Sequence, residues 1–521
     1  MGSDPLTILS HAPLRVSLLV VSGLLGALAF PLTNWWLFAW VWLVPVLTCA
    51  LARPPRATFA DGWLAGTVFF VALLRWLDHT FLYFSAIPWP LTWLPIVALA
   101  AYCGLYTAVT AVGVAWLRRR IGAGPALATS PALWVAGEWV RGHLMDGFPW
   151  GLLGYSQHAV LPVIQIAELT GVYGVSFLIV AVNGAIAAVV GLGWRRALPG
   201  AAAGVSLLAL SLGFGWSALA REGATTPARA ASGIAVALIQ PSIEQTLKWD
   251  PAQHARIMDV YERLTREAAR SRPAVILWPE TATTIFLRGD PDLLARLTRL
   301  SAELDTPLLV GSIDRQAGPR GKFLNSAFLL SGQGISARYD KIHLVPFGEY
   351  VPLSWLIGFV RSWAEFISDF GTGETETVFP LARGSFGTVI CYEVIFPELF
   401  RGFVAAGAAF MVNITNDAWF GRTSGPWQHL GMLPLRAVEH RVAIARAANT
   451  GVSAFVEPSG RVTRLLPLFA QGVLGDRVSL RSGRTLYTRL GDWLAYLCLG
   501  LSASVLGFAF FGRSPRSCSA S

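Results

Sequence analysis

The chain has 521 residues, 54% of them hydrophobic and only 14% charged, with a mean hydropathy of +0.52. A soluble globular domain carries about 25% charged residues, so a wholly soluble protein is excluded and much of the chain is expected in lipid. The net charge of +10 does not describe a nucleic-acid surface, because the arginines gather in short loops between apolar stretches, as topology signals do.

A membrane span needs about 20 apolar residues. Apolar segments at 10–30, 34–52, 59–77, 88–117, 126–140, 161–192 and 197–219 predict seven spans, and 489–511 an eighth. The fifth is the weakest, with Glu138 and Arg141 at its end. These two are one helical turn apart, which suits an i,i+3 ion pair or a headgroup contact. The first segment lacks a small-residue cleavage site and reads as a retained helix. Arg53 and Arg56, then Arg118, Arg119 and Arg120, then Arg195 and Arg196, then Arg513 and Arg516 occupy alternate loops. The positive-inside rule then puts both termini in the cytoplasm and the region between spans seven and eight on the outer side. The expected organisation is a membrane domain at 1–222, a globular domain at 230–482 and a last transmembrane helix at 488–512.

Residues 230–480 hold most of the Asp and Glu. Strand-like runs at 233–240, 274–278, 306–313, 323–331, 384–391, 407–414 and 451–457 alternate with helical patterns. Asp250-Pro251 and Asp290-Pro291 each supply an N-cap and a first-turn proline, and a third helix is expected over about 427–447. An α/β domain follows. Cys49, Cys103 and Cys498 lie in apolar segments and read as small buried hydrophobes, and Cys518 lies in a polar tail. The spacing gives no zinc site or disulfide framework, so neither metal nor cofactor is expected.

Cys391 is different. It ends the run Gly387–Ile390, inside the globular domain. Glu280 closes the run 274–279, and Lys341 follows 336–340. A thiolate is the reactive form of cysteine, and a free pKa of about 8.5 leaves little of it at neutral pH. Glu280 can take the proton, and Lys341 can stabilise a thiolate or an oxyanion. From these residues alone the three need not meet.

The surrounding motifs go further. Trp278-Pro279-Glu280-Thr281, the stretch from Tyr339-Asp340-Lys341 through Pro346-Phe347-Gly348-Glu349-Tyr350-Val351-Pro352, and Ile390-Cys391-Tyr392-Glu393 resemble the Glu-Lys-Cys signature of the nitrilase superfamily. Together with Phe148-Pro149-Trp150-Gly151, Gly154–Gln157, Gln240 through Lys248-Trp249, Asn413–Phe420 and Arg446–Gly451, they make the whole chain resemble the apolipoprotein N-acyltransferase family. The resemblance implies a four-layer α-β-β-α domain joined to a multi-span helical bundle in the bacterial inner membrane, with the catalytic domain in the periplasm. It implies acyl transfer from a phospholipid, typically phosphatidylethanolamine, through a Cys391 thioester to the N-terminal amine of a diacylglyceryl-cysteine apolipoprotein. It assigns Cys391 as nucleophile, Glu280 as general base and Lys341 as oxyanion stabiliser. Glu349 would be a second essential carboxylate, Tyr392 and Glu393 would shape the pocket, and Trp249 would ride a mobile arm at the substrate entrance. A monomer without cofactor or nucleic-acid partner is expected.

Two rivals remain on the sequence: a membrane-tethered hydrolase of small amides, and a transporter or receptor with an inactive sensor domain. The first has no use for the long middle motif and the membrane half. The second predicts paired charges at mid-depth in the spans, whereas most charges sit at span ends. Residues 353–370, with Trp355 and Trp363, read either as a buried helix or as an amphipathic lid for acyl chains.

Overall fold

The computed structural model describes residues 11–316, 321–351 and 370–511, with the backbone alone of 225–231. The lid with Trp355 and Trp363, the arginines Arg513 and Arg516, and Cys518 lie outside the described residues. The described residues form two compact units: those within 1–75, 93–216 and 492–521, and those within 76–92 and 217–491.

The first unit is helical. Among the described residues four helices are long and apolar enough to cross a membrane: Trp93–Ile121, Val172–Leu192, Trp194–Ala224 and Trp493–Phe511. A fifth results if Pro55–Leu73 and Leu77–Phe84, bent by 57°, count as one. The other expected spans are shorter or broken. The first is Ala12–Leu28, the second splits into Trp36–Trp40 and Val44–Ala52, and the fifth is the 14-residue Ser130–His143. The sixth opens as Leu161–Ile164 and Ala167–Thr170 before Gly171 restarts it at φ 66°. Pro45, Pro131 and Pro162 each sit in a first turn, where a missing N–H costs nothing but continuation from the preceding helix does. Counting apolar residues ran through these breaks.

Close packing in this unit relies on small residues. A Cβ on Gly62 would lie 2.9 Å from Ala108 Cα, and one on Gly66 2.7 Å from Thr107 Oγ1. The Gly-x-x-x-Gly face of Pro55–Leu73 therefore lets its backbone approach Trp93–Ile121 directly. Asp61, buried on the same helix, is gripped by Arg15 at 3.2 Å and Arg53 at 2.7 Å, a cluster the sequence did not disclose. Glu138 and Arg141 direct their hydrogen bonds to backbone. Leu153 N–H donates to Glu138 Oε1 at 2.6 Å, and Arg141 Nη1 donates to the carbonyls of Phe148 and Trp150, both at 2.7 Å. They hold the Phe-Pro-Trp-Gly loop in place of the ion pair expected between them.

Among its described residues the second unit contains twelve strands. In chain order they are β1 (Ile234–Gln240), β2 (Val275–Leu277), β3 (Leu308–Arg315), β4 (Phe323–Ser331), β5 (Gly334–Asp340) and β6 (Val378–Pro380). There follow β7 (Ser385–Ile390), β8 (Phe410–Thr415), β9 (Ile444–Ala448), β10 (Ser453–Val456), β11 (Val462–Leu466) and β12 (Gly472–Val478). They make two six-stranded sheets, ordered β12-β1-β2-β3-β4-β5 and β11-β10-β9-β8-β7-β6. The sheets face each other through β1 and β9, and through β4 and β7. Helices His254–Ala269 and Pro291–Glu303 cover the first sheet, and Pro397–Ala405 and Leu433–His440 the second. This is the expected α-β-β-α sandwich. Asp290 caps the second of these helices as predicted, its carboxylate accepting from Leu293 N–H. Asp250 instead caps a short turn, accepting from Ala252 N–H.

The outer layer of the first sheet is tightly filled. Trp278 stacks on Tyr261 at 4.5 Å and its indole N–H donates to Thr265 Oγ1, while Leu293, Leu297 and Leu300 close the neighbouring face. Leu297 is fully buried, so Leu297→Ala is expected to cost about 2–5 kcal/mol. Thermal unfolding of the purified protein in detergent should show a clear drop in midpoint. Arg299→Ala on the exposed face of the same helix is expected to move it little.

Candidate active site

The chemistry collects where parallel strands end. β1 to β3 and β7 to β9 pair in parallel, and loops leave their carboxyl ends together. Glu280 follows β2, Lys341 follows β5 and Cys391 follows β7. β3 crosses directly behind Glu280: a Cβ on Gly311 would lie 2.3 Å from the Pro279 carbonyl oxygen, so only glycine fits there.

Glu280 and Lys341 meet, and both act electrostatically on Cys391. Lys341 Nζ lies 3.6 Å from Glu280 Oε1 and donates to Glu349 Oε1 at 2.9 Å. Asn325 on β4 ties the carboxylates together, its Nδ2 reaching Glu280 Oε1 at 2.7 Å and Glu349 Oε1 at 3.1 Å. Glu280 Oε2 accepts from Asn416 N–H at 2.8 Å, and Glu349 Oε2 from Val345 N–H at 2.8 Å. Glu280 and Lys341 are both buried. Burial pulls the Lys341 ammonium down, but Glu349 and then Glu280 outweigh it and hold it well above the usual lysine range. It stays charged at any working pH.

Cys391 turns at φ 52°, in the left-handed region that a residue with a Cβ adopts only at a cost. The turn breaks β7 sharply and starts a 3-10 segment, Cys391–Ile395. Burial pushes the thiol well above the usual cysteine range, Glu280 adds to the rise and Lys341 opposes it. At rest the residue is a thiol.

Glu393 fastens this turn. Its Oε1 accepts from Tyr339 OH at 2.7 Å, Ile342 N–H at 2.6 Å and His343 N–H at 3.1 Å, and its Oε2 accepts from Ile390 N–H at 2.7 Å. It joins the backbone after Lys341 to the backbone before Cys391. Glu393 thus holds the frame, whereas Tyr392 packs edge-on against Phe396. Trp249 follows the short helix Gln245–Lys248 and is 41% exposed.

A second buried layer lies under the thiol, and it had no assigned role in the sequence. His429 Nε2 contacts the Cys391 carbonyl oxygen at 3.1 Å. Burial and then Arg446 lower the His429 pKa while Asp417 opposes them, and because a carbonyl only accepts, Nε2 carries a proton. Nδ1 lies 3.1 Å from both Arg446 Nη2 and Asp417 Oδ1. Arg446 also binds Asp417 Oδ2 at 2.6 Å and Asn413 Oδ1. Burial would raise the Asp417 carboxyl, but Arg446 and then His429 hold it below the usual carboxylate range. Asn413, Asp417 and Arg446 were visible as motif residues; His429 carried no signal beyond lying in a predicted helix. The loop Asp417–Phe420 is clamped by Thr80, whose hydroxyl donates to the Trp419 carbonyl at 2.9 Å, with Phe84 and Trp76 against Trp419 and Phe420.

The chain matches known proteins along nearly its whole length. Residues 22–185 match the family model described as the apolipoprotein N-acyltransferase N-terminal domain, and residues 235–486 match the carbon-nitrogen hydrolase family. An apolipoprotein N-acyltransferase of Geobacter metallireducens is 40% identical over 504 residues, covering 95% of each chain. One from Haemophilus ducreyi is 32% identical, covering 95% of this chain and 96% of the relative, and one from Brucella melitensis is 37% identical, covering 87% and 86%. Among solved structures, an amidase of the nitrilase superfamily from Nesterenkonia aligns at 19% identity with a TM-score of 0.39, over 51% of this chain and 96% of that one.

Four donors converge on Glu393, so Glu393→Gln turns one acceptor oxygen into a donor facing another N–H. Activity is expected to fall about 100-fold or more through misplacement of the thiol. Wild-type activity in that variant would show that these bonds do not hold the turn. Burial pushes the Glu393 carboxyl up to about 7. Below that pH it gains a proton and loses an acceptor site, so wild-type activity should decline as pH falls through about 7.

Proposed function

The chain belongs to the apolipoprotein N-acyltransferase family, and from that premise we propose that Cys391 carries an acyl group between two lipid-linked substrates. The enzyme is an acyltransferase that N-acylates apolipoproteins in a bacterial membrane. The observation that carries the assignment of residues is the buried Glu280–Lys341–Glu349 contact beside the Cys391 turn.

In the first half-reaction Cys391 Sγ attacks the ester carbonyl of a phospholipid, for which phosphatidylethanolamine is the proposed donor. The S–H proton passes to Glu280 as the S–C bond forms. Lys341 stabilises the oxyanion of the tetrahedral intermediate. Collapse breaks the ester C–O bond, and Glu280 returns the proton to the departing oxygen, giving lysophospholipid and a Cys391 thioester. In the second half-reaction the α-amine of a diacylglyceryl-cysteine attacks that thioester. Glu280 takes the amine proton, the C–S bond breaks and the thiol is restored. Ester, thioester and amide follow one another without ATP. An α-amine titrates at about 7.7–8.0, so a usable fraction is already neutral near physiological pH. Glu349 keeps Lys341 charged and in place, and Trp249 stands at the substrate entrance.

The alternate arginine loops support a location in the inner membrane with both termini cytoplasmic and the catalytic unit on the periplasmic face. They equally support seven spans before that unit and one after it, with the broken helices completing the set. A monomer suffices, since Glu280, Lys341, Glu349 and Cys391 all come from one chain.

Mass spectrometry of the full-length protein incubated with phosphatidylethanolamine vesicles tests the scheme. The expected result is an acyl adduct on the peptide holding Cys391, removed on adding a diacylglyceryl peptide with a free α-amine. Cys391→Ser should form no thioester, and Glu280→Gln and Lys341→Met should each slow adduct formation by about 100-fold or more. Turnover by wild type with no adduct at any time point would rule out covalent transfer through Cys391.

A further inference from the structure

Lys248 is 2% exposed, one of the largest fully buried side chains in the protein. A lysine ammonium is rarely buried without a carboxylate in direct contact. Its Nζ donates instead to Thr281 Oγ1 at 2.6 Å and to the Glu280 carbonyl oxygen at 3.2 Å. Both acceptors are neutral and both belong to the turn that carries the base, where Thr281 stands at φ 46°. The same short helix, Gln245–Lys248, reaches Glu280 by a second route: Asn416 Nδ2 donates to Gln245 Oε1 at 2.8 Å, and Asn416 N–H donates to Glu280 Oε2 at 2.8 Å.

We propose that Lys248 is a positioning residue for the acyl-transfer reaction, pinning the Glu280–Thr281 turn and setting the positive potential under which Cys391 loses its proton. The inference rests on Cys391 and Glu280 acting as nucleophile and base. Charge counting explains the need. Within the group of Glu280, Glu349, Lys341 and Lys248, two carboxylates are balanced by two ammoniums when Lys248 is charged. With it neutral, the buried group carries one excess negative charge, and a thiolate forms against it. Glu280 and Cys391 act on the Lys248 ammonium, and Glu280, Lys341 and Asp417 also act on the thiol. Burial lowers Lys248 to about 8, with Glu280 and Cys391 opposing, so its charge is present at neutral pH and lost just above.

Alkylation of Cys391 by iodoacetamide tests this without lipid, so its outcome is separate from that of the acyl-adduct experiment. The full-length protein in detergent is labelled from pH 6 to 10, and the rate is read on the Cys391 peptide. Lys248→Met should react about tenfold more slowly than wild type near pH 7, with the two rates converging above about pH 9, where wild type has also lost the charge. Thr281→Val keeps the cation but removes its nearest acceptor, and should give a smaller deficit that closes at lower pH. Equal rates near pH 7, or a deficit unchanged across the pH range, would overturn the proposal. Should Lys248→Met not fold, Thr281→Val decides alone: a pH profile identical to wild type, or a uniform loss, overturns it.

Discussion

The site depends on keeping two carboxylates and one ammonium together out of water. Moving each ion from water costs several kcal/mol, and their attraction offsets this only when every lone pair and proton is engaged. Here the accounting is met by named groups. Lys341 contacts Glu349 and Glu280, Asn325 bridges both carboxylates, and backbone N–H groups of Asn416 and Val345 take the remaining oxygens. Asn416 and Lys341 are the first residues beyond β8 and β5, Val345 lies further along the loop after Lys341, and Asn325 is the third residue of β4. The sandwich topology follows from that demand as much as the site follows from the sandwich: β2, β4, β5 and β8 have to deliver Glu280, Asn325, Lys341 and Asn416 to one small volume.

The thiol is treated oppositely. It stands on a left-handed turn, 6% exposed, with its carbonyl tied to His429 and the backbone before it tied to Glu393. Strain of this kind persists only where the surroundings over-determine it. Two separate buried networks do so, one through Glu393 to Tyr339 and the Lys341 loop, the other through His429 to Arg446 and Asp417. The first fixes where Cys391 stands relative to the loop that follows Lys341. The second fixes the floor beneath it. A thiol that is protonated at rest is also protected from adventitious chemistry, because only the thiolate attacks.

Much of the catalytic unit was legible because strand periodicity and chain order are local properties. Runs such as 233–240 and 384–391 have the length and β-branched content of buried strands, and the Asp290-Pro291 start left one reading. Glu280, Lys341 and Cys391 were legible for a different reason: their immediate neighbours form recognisable motifs. Asn325, Gln245, Lys248 and His429 were not assigned, since their roles arise from contacts across tens or hundreds of residues. Asn416 lay in a motif, but its N–H on Glu280 spans 136 positions and has no local signature. In the membrane half the hydropathy sum saw apolar length and missed the proline and glycine breaks, because a proline in a first turn leaves mean hydropathy nearly untouched while ending the helix before it. Glu138 and Arg141 were misread through sequence proximity. Each found a better partner in backbone groups of the loop that follows, where an uncapped N–H or carbonyl in an apolar setting costs more than a lost surface ion pair.

In the proposed scheme these features let one base serve two half-reactions. In the first, a proton leaves sulfur and ends on an alkoxide. In the second, a proton leaves an amine and ends on sulfur. In both, the proposed base Glu280 would alternate between carboxylate and acid while the negative charge it gives up appears on the nucleophile or on the oxyanion beside Lys341. The net charge of the buried group therefore stays constant through each step, and the surrounding donors need not reorganise. Glu349 makes this possible by holding Lys341 as an ammonium whichever state Glu280 is in. A site built around a single carboxylate would have to neutralise its own lysine partner each time the base took a proton.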